Sequence, residues 1–345
     1  MRCSLMLDRV SRPRLTFVDD SAPGITRRLL RGKWVYFDPL GERINDPDEV
    51  ARLNRIALPP AYRDAWYAPK PNAHLQATGF DARGRKQYRY HPDYRQEREA
   101  RKFELCAPFG RALPRLRARV AEDLAIRGLT RDRAVASVLA LLDTGMIRVG
   151  NECYVRENKS YGATTLRNRH ARIEGRLLRL RFRGKSGKQQ EIACTDAALV
   201  RCVRKMQDLP GQHLFQYVDP EDGSAVPVDS AEVNDYLRET MGEEFTARNF
   251  RTWTASALAF GMLVEEPDVP LKTMLAAVSE RLGNTPAIVR KSYIHPAVTA
   301  AAKGEAPIAE LPPQLPRKTQ WLSRVERGLL DFLESPRAMA ALTAS

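Results

Sequence analysis

Residues 281–296 read Arg281-Leu282-Gly283-Asn284-Thr285-Pro286-Ala287-Ile288-Val289-Arg290-Lys291-Ser292-Tyr293-Ile294-His295-Pro296. Thr285 suits an N-cap, because its hydroxyl can accept a free amide of the first turn. Pro286 suits the next position, where a missing N–H costs nothing. The spacing predicts a helix from Pro286 to His295 that stops near Pro296, with Tyr293 in its last turns. Arg281, Arg290, Lys291 and His295 would frame the tyrosine with cations suited to a phosphate. A tyrosine at a helix end is by itself a packing residue. The stretch therefore gains meaning only from what surrounds it.

Its 345 residues are enough for two domains with separate cores, and 43% of them are hydrophobic. No apolar run reaches the roughly 18 residues of a membrane span. The first residues, Met1-Arg2-Cys3-Ser4-Leu5-Met6-Leu7-Asp8, lack the apolar core of a secretory signal. A cytoplasmic, nucleoid-associated protein without membrane contact is expected. Lysine and arginine number 56 against 42 acidic residues, a formal charge of +14 spread along the chain. That balance favours a polyanion bound by folded basic surfaces. Five cysteines without a Cys-x-x-Cys pair argue against a disulfide framework or a zinc site. Arg183-Gly184-Lys185-Ser186 ends like a phosphate-binding loop, but Arg179 stands where its first glycine belongs. No cofactor is expected.

Residues 1 to about 25 carry little pattern and are expected to be partly disordered. Lys33–Phe37, a turn at Asp38-Pro39-Leu40-Gly41, and Glu42-Arg43-Ile44 read as a β-hairpin. A short helix is predicted from Asp46 to Ile56. Trp66-Tyr67-Ala68, His74–Thr78 and Arg85–Tyr90 are predicted strands, the last two joined by a turn at Asp81–Gly84. Lys86–Arg95 interleaves cations with aromatics. In a strand, Lys86, Tyr88 and Tyr90 share one face, able to track a phosphate backbone and touch bases, while Gln87, Arg89 and His91 share the other.

Beyond residue 95 the pattern turns helical, with breaks expected near Pro108 and Pro114. Thr130 would cap a helix over residues 130–142 whose buried stripe is Val135, Val138, Leu139 and Leu142. Asp143-Thr144-Gly145 is a stop signal, placing Arg148 just past a packed helix. Leu178, Leu180 and Phe182 alternate with Arg179, Arg181 and Arg183, and Gln189–Ala193 returns, giving a hairpin with Lys185 at its tip. Helices are predicted over 196–207, 230–241 and 246–262. Phe250, Trp253, Ala257 and Phe260 form the buried stripe of the last, with Arg251 beside it as a rim residue or a ligand. Pro307–Pro316 reads as a connector, and Trp321, Leu322, Val325, Leu329, Phe332 and Leu333 as an amphipathic helix packing back on the chain.

Arg148, Lys185, Arg251, Asn284 and Tyr293 invite one explanation. Breaking a phosphodiester without metal needs a nucleophile, cations on the non-bridging oxygens and an acid for the departing oxygen. Arginine forks match phosphate and stay charged. Tyrosine, with an ordinary pKa of about 10, needs nearby positive charge to attack at neutral pH.

The order and wording of these pieces resemble the poxvirus-like type IB DNA topoisomerases, in particular their bacterial members. The motifs are Lys86-Gln87-Tyr88-Arg89-Tyr90, and Ile147-Arg148-Val149-Gly150-Asn151-Glu152 with Tyr154 through Leu166-Arg167-Asn168-Arg169-His170. They continue with Phe182-Arg183-Gly184-Lys185, Asn249-Phe250-Arg251-Thr252-Trp253, Leu282-Gly283-Asn284-Thr285-Pro286 and Lys291-Ser292-Tyr293. The resemblance spans about residues 30 to 300. It implies that Tyr293 attacks the scissile phosphate to give a 3′-phosphotyrosyl link and a free 5′-hydroxyl. It implies that Arg148 and Arg251 hold the non-bridging oxygens, and that Lys185 protonates the leaving 5′ oxygen. Lys86, Gln87, Tyr88, Tyr90, Tyr154 and Arg248 would contact DNA. Religation would need neither ATP nor metal, and supercoils relax while the free strand swivels.

Asn284 departs from the histidine common in the family. It can donate a hydrogen bond to phosphate but supplies no charge or proton. Lys188 rivals Lys185 as the acid. A tyrosine recombinase or integrase is the competing reading, but those enzymes typically carry histidine three residues before the second arginine, where this chain has Arg248. A basic DNA-binding protein without enzymatic activity leaves the five residues unexplained. The expected fold is α+β. Its parts are an extension (1–25), a small β-rich clamp domain (26–100), a larger, mainly helical catalytic domain with a small antiparallel hairpin (101–305), and the proline-rich connector with its helix (306–345). The expected partner is duplex DNA, preferably supercoiled, bound by a monomer.

Overall fold

The computed structural model describes residues 14–304 and 314–335. The chain divides into two compact units, Met1–Glu99 and Ala100–Ser345. The fold is α+β, as expected.

The first unit is an antiparallel sheet of β1 (Ile25–Leu30), β2 (Lys33–Phe37), β3 (Arg63–Tyr67), β4 (Leu75–Phe80) and β5 (Lys86–Tyr90), in the order β2-β1-β3-β4-β5. Helix α1 (Pro47–Arg55) begins at Asp46, whose side chain accepts from the Asp48 amide. Leu53 of α1 packs into a core with Ile25, Tyr36, Leu58, Ala65, Tyr67 and Ala77. The partner of β2 is β1, from Thr26↔Phe37 to Leu30↔Lys33, and not Glu42–Ile44. The turn at Asp38 is present, yet it closes with only a single Phe37↔Arg43 bridge. β1 escaped notice because Thr26-Arg27-Arg28-Leu29-Leu30 does not alternate. It joins β3 only through Ile25 and Thr26, so its distal half is exposed and both faces tolerate polar residues. Residues 14–25 are also better anchored than expected, since Thr16 pairs with Ala73.

Helix α2 (Pro92–Glu104) starts in the first unit and ends in the second, and α3 (Cys106–Ala125) follows. Pro114 lies inside α3 without breaking it. A helix-interior proline costs about 3 kcal/mol. Burial of Leu113 and Leu116 on either side offsets that, at about 1.5–3 kcal/mol each. Helix α4 (Arg131–Gly145) is capped by Thr130, whose hydroxyl accepts from the Arg133 amide. Val135, Val138, Leu139 and Leu142 are buried as expected. Helix α5 (Glu152–Asn158) is capped by Asn151. Strands β6 (Ala171–Glu174), β7 (Leu177–Arg183) and β8 (Gln189–Cys194) form an antiparallel sheet, with Leu178, Leu180 and Phe182 facing the core.

Then come α6 (Ala197–Gln207), the short pair β9 (Gln216–Val218) and β10 (Ala225–Pro227), α7 (Ser230–Met241) and α8 (Ala247–Glu265). Helices α9 (Leu271–Leu282), α10 (Pro286–Ser292), α11 (Pro296–Ala302) and α12 (Arg324–Leu333) complete the order. Phe250, Trp253, Ala257 and Phe260 bury the α8 stripe as read from the spacing. α12 packs on α3 and α8, as its apolar stripe required. Most of the expected proline connector lies outside the described residues. Among the described residues, no helix is long and apolar enough to cross a membrane.

Candidate active site

Arg251 has the least ordinary environment of the five residues. Its side chain is only 3% exposed, so it is not a rim residue. Its guanidinium donates to the carbonyls of Met146 (2.9 Å) and Leu282 (3.1 Å) and to Asn284 Oδ1 (2.6 Å). Met146 adopts the left-handed conformation that ends α4, which aims its carbonyl at the arginine. The helix ends at Gly145, within the Asp143-Thr144-Gly145 stop signal, as expected. Arg148 donates to the same Asn284 Oδ1 at 3.1 Å. Among the described residues neither arginine pairs with a carboxylate, and the Nε of Arg251 has no partner. Burying a cation without an anion is costly unless an anion is what the site is built for.

Guanidinium groups only donate, so the atom the two arginines share must be the amide oxygen of Asn284. Its NH2 is thereby free to donate. The residue is delivered by Gly283, which closes α9 at φ 66°. The positive φ calls for glycine there, and the Gln190 side chain of β8 approaches so closely that a Cβ would lie 2.4 Å from its terminal amide.

Arg148 sits on a clamped loop. The amide of Ala163 donates to its carbonyl at 2.8 Å, and the amide and hydroxyl of Thr164 both reach the Val149 carbonyl. A Cβ at Gly162 would come within 2.6 Å of the Arg148 carbonyl, so the two segments touch backbone to backbone. Next to Gly162, the Tyr161 amide donates to the Arg183 carbonyl at 2.8 Å, tying this loop to the end of β7. Lys185 follows in a 3-10 turn, exposed, with the tip closed by the Gly184 amide on the Lys188 carbonyl. The hairpin therefore borders the arginine pair on two sides, through Tyr161 and through Gly283. Lys185 itself makes no hydrogen bond or ion pair among the described residues.

Tyr293 terminates α10 as its C-cap, so the helix ends at Ser292 and not at His295. Thr285 caps the start, accepting from the Ile288 amide, with Pro286 next to it as expected. Buried Val289 and Ile294 hold the segment while the tyrosine ring lies 4.9 Å from the Arg251 guanidinium carbon. Burial pushes the Tyr293 hydroxyl up, but Arg251, Arg148 and Arg248 together outweigh it, leaving the phenol below its ordinary range. Burial and the like charge of Arg148 pull Arg251 down to about 10, still fully charged at neutral pH.

One member of the expected cationic frame, His295, is not a cation. Arg281, Arg290 and Lys291 are exposed. His295 is 2% exposed and caps α11 by accepting from the Ala297 amide at 3.2 Å. Burial holds it near pKa 4, so it is neutral and structural. Sequence reasoning missed Ser256, which is fully buried on α8. Its hydroxyl donates to the Tyr293 carbonyl (3.3 Å) and accepts from the His295 amide (2.9 Å). It fixes the tyrosine segment to the helix that carries Arg251. The available signal was weak, since Ser256 is one of two buried hydroxyls, with Thr252, among the apolar positions of α8.

The other expected contacts are distributed as follows. Arg248 is exposed on the first turn of α8, and Tyr154 is 57% exposed on α5. In the first unit, the Tyr88 and Tyr90 rings stack 6.0 Å apart on one face of β5. Lys86 pairs with Asp20 at 2.6 Å, and Gln87 donates to Asp81 at 3.2 Å.

Comparison with known proteins places the chain in a family. The profile described as eukaryotic DNA topoisomerase I, catalytic core, matches residues 91–297. That of the bacterial DNA topoisomerase IB N-terminal domain matches residues 33–81. DNA topoisomerase 1B of Acanthamoeba polyphaga mimivirus is 32% identical over 287 residues, 79% of this chain and 85% of the relative. DNA topoisomerase I of monkeypox virus is 24% identical over 223 residues, 63% of this chain and 69% of the relative. Among solved structures, a post-cleavage complex of the XerH site-specific recombinase aligns over 51% of this chain and 47% of that one. It does so at 16% identity with a TM-score of 0.33, too low to bear on the fold. With a matched core over most of the chain and a relative above 30% identity along its length, this chain belongs to the type IB DNA topoisomerase family, with the N-terminal domain of its bacterial members.

Proposed function

We propose that this topoisomerase relaxes supercoiled duplex DNA by transient cleavage of one strand through Tyr293. The observation that carries the reading is the shared Asn284 Oδ1. It gathers two carboxylate-free arginines beside a tyrosine whose hydroxyl they acidify. The Tyr293 oxygen attacks the scissile phosphorus and its proton passes to water. Arg148 and Arg251 receive the non-bridging oxygens, where their forks stabilise the charge of the pentacoordinate transition state. The 5′ oxygen departs with a proton from Lys185, leaving a 3′-phosphotyrosine and a 5′-hydroxyl. Religation reverses these steps, because the phosphotyrosine conserves the energy of the diester. The Asn284 amide donates to one phosphate oxygen, and Arg248 and Tyr154 contact flanking phosphates. The first unit contributes Lys86, Gln87, Tyr88 and Tyr90 to duplex DNA. The enzyme acts as a monomer in the nucleoid.

The test is relaxation of supercoiled plasmid in EDTA without ATP, paired with detergent trapping of the covalent complex. Relaxation is expected from the native chain. Tyr293→Phe is expected to bind DNA with unchanged affinity and to yield no adduct. No relaxation by the native chain, or an adduct from the variant, overturns the reading. Site-dependent strand exchange would favour a recombinase instead.

A further inference from the structure

Helix α12 lies beyond both matched regions, the later of which ends at residue 297. It nonetheless connects to the elements that carry both arginines. At the centre is Arg117 of α3. It donates to both oxygens of Asp143 (2.7 and 2.9 Å) and to both oxygens of Glu326 (2.7 and 3.2 Å). It also donates to the carbonyl of Trp321. Glu326 Oε1 in turn accepts the indole N–H of Trp253 at 3.2 Å. Asp143 is in the last turn of α4, five residues before Arg148, and Trp253 follows Arg251 by two residues on α8. One carboxylate of α12 thus joins, from behind, the two elements that present the guanidiniums.

The packing around it leaves little slack. A Cβ at Gly110 of α3 would lie 2.3 Å from the Trp253 ring. A Cβ at Gly261 of α8 would be 3.3 Å from Val325. Glu326 is further held by a capping box, in which its carboxylate accepts the Ser323 amide at 2.8 Å and the Ser323 hydroxyl accepts the Glu326 amide. Burial pushes the Glu326 carboxyl up, and the bonds from Arg117 more than reverse it, so the group stays ionised. Apolar contact of Leu329, Phe332 and Leu333 would suffice to cover α8, and such burial has no direction. A multidentate charge network does have direction, so it can hold two helices in one register.

We propose that Glu326 is a positioning residue for the phosphate-binding arginines, acting through Arg117–Asp143 on Arg148 and through Trp253 on Arg251. The inference rests on those arginines having the role given above. The test uses the full chain and single-turnover cleavage at saturating enzyme, well below the melting temperature, in four forms: native, Glu326→Gln, Arg251→Lys and the double variant. Glu326→Gln is expected to keep DNA affinity within about twofold while cleavage slows about tenfold, since small misplacements of a charge-stabilising group cost this much or more. In the Arg251→Lys background the same change is expected to cost only about threefold, because the Arg251 arm is already defective and only the Arg148 arm is left to be misplaced.

An equal factor in both backgrounds, or a lowered melting temperature with an unchanged native-background rate, overturns the proposal and leaves α12 a cover. If Arg251→Lys cleaves at the native rate, the site assignment falls and this inference with it. Trp253→Phe keeps an aromatic side chain and the carboxylate but removes the N–H together with the second ring of the indole, so its melting temperature is read alongside. It is expected to show the same non-additive pattern at about threefold, and additive behaviour there counts against the proposal even if Glu326→Gln fails to fold.

Discussion

Asn284 shows how one neutral side chain can organise two cations. Its oxygen lies 2.6 and 3.1 Å from Arg251 and Arg148, holding both without neutralising either. A carboxylate at the same position would pair with both guanidiniums. Hydrogen bonds between charged groups are worth about 1.5–3 kcal/mol each, so an entering phosphate would have to displace them and face a like charge. Asn284→Asp is therefore expected to cleave more slowly than Asn284→Ala, by about tenfold or more, with weaker binding of cleavable duplex. Single-turnover assays of the two variants check this, and equal rates would mean that the arginines are not organised through position 284.

At the scale of elements, the β7–β8 hairpin and the α10–α11 junction do different work. The hairpin borders the arginine pair through the Tyr161 bond and the Gly283 contact, leaving Lys185 exposed at its tip. General acids of this kind contribute about 10²–10⁴-fold. Lys185→Ala is expected to lose that much cleavage on ordinary DNA. It should recover on a substrate with sulfur at the 5′ bridging position, because a thiolate leaves without a proton. Absence of rescue moves the role to Lys188.

At the junction, His295 caps α11 as a neutral, buried group with its pKa lowered from 6.5 to about 4. The unfolded chain binds a proton below about pH 6.5 that the folded chain refuses until about pH 4. Stability is therefore full above the unfolded value and falls as pH drops through that window, by about 3 kcal/mol from this group. His295→Asn retains a good cap and cannot titrate. Urea unfolding at pH 7 and pH 4.5 is expected to show a smaller loss in the variant than in the native chain.

For the whole molecule, the charge of +14 is carried by folded surfaces as well as by the site. Lys86 and Tyr88 lie on an edge strand of the first unit, and Tyr154 and Arg248 on helices of the second. Binding to duplex should weaken with salt at a log–log slope of about −0.9 for each phosphate neutralised. Arg248→Ala is expected to reduce that slope by about one unit without changing sequence preference, as measured by anisotropy titrations over a salt series. A slope near zero in the native chain would exclude phosphate-dominated binding.

Much of this protein was legible in the chain itself, and the reason is local. Asp46, Thr130, Thr285 and Pro286 act within a turn of where they stand, so helix starts could be read. The alternation in Leu178–Arg183 and the stripe of Val135–Leu142 are short-range consequences of strand and helix geometry. Ordered motifs identified the family. What the chain could not show is which distant groups meet. β1 lacked alternation because its outer half has no neighbour strand beyond β2, so nothing selected for one apolar face. His295 resembled a cation until burial made it a neutral cap, and Arg251 could have been a rim residue until Met146, Leu282 and Asn284 enclosed it. Ser256 and Glu326 give no local sign of these roles, since the partners that matter, Tyr293 for Ser256 and Trp253 for Glu326, lie 37 and 73 residues away, and the Ser323–Glu326 spacing reads locally only as a helix cap. Dihedral preferences and periodicity act along the sequence, whereas desolvation and charge pairing act through space. The tertiary structure therefore decided which cations face Tyr293, and the sequence alone determined the helices and strands that bring them there.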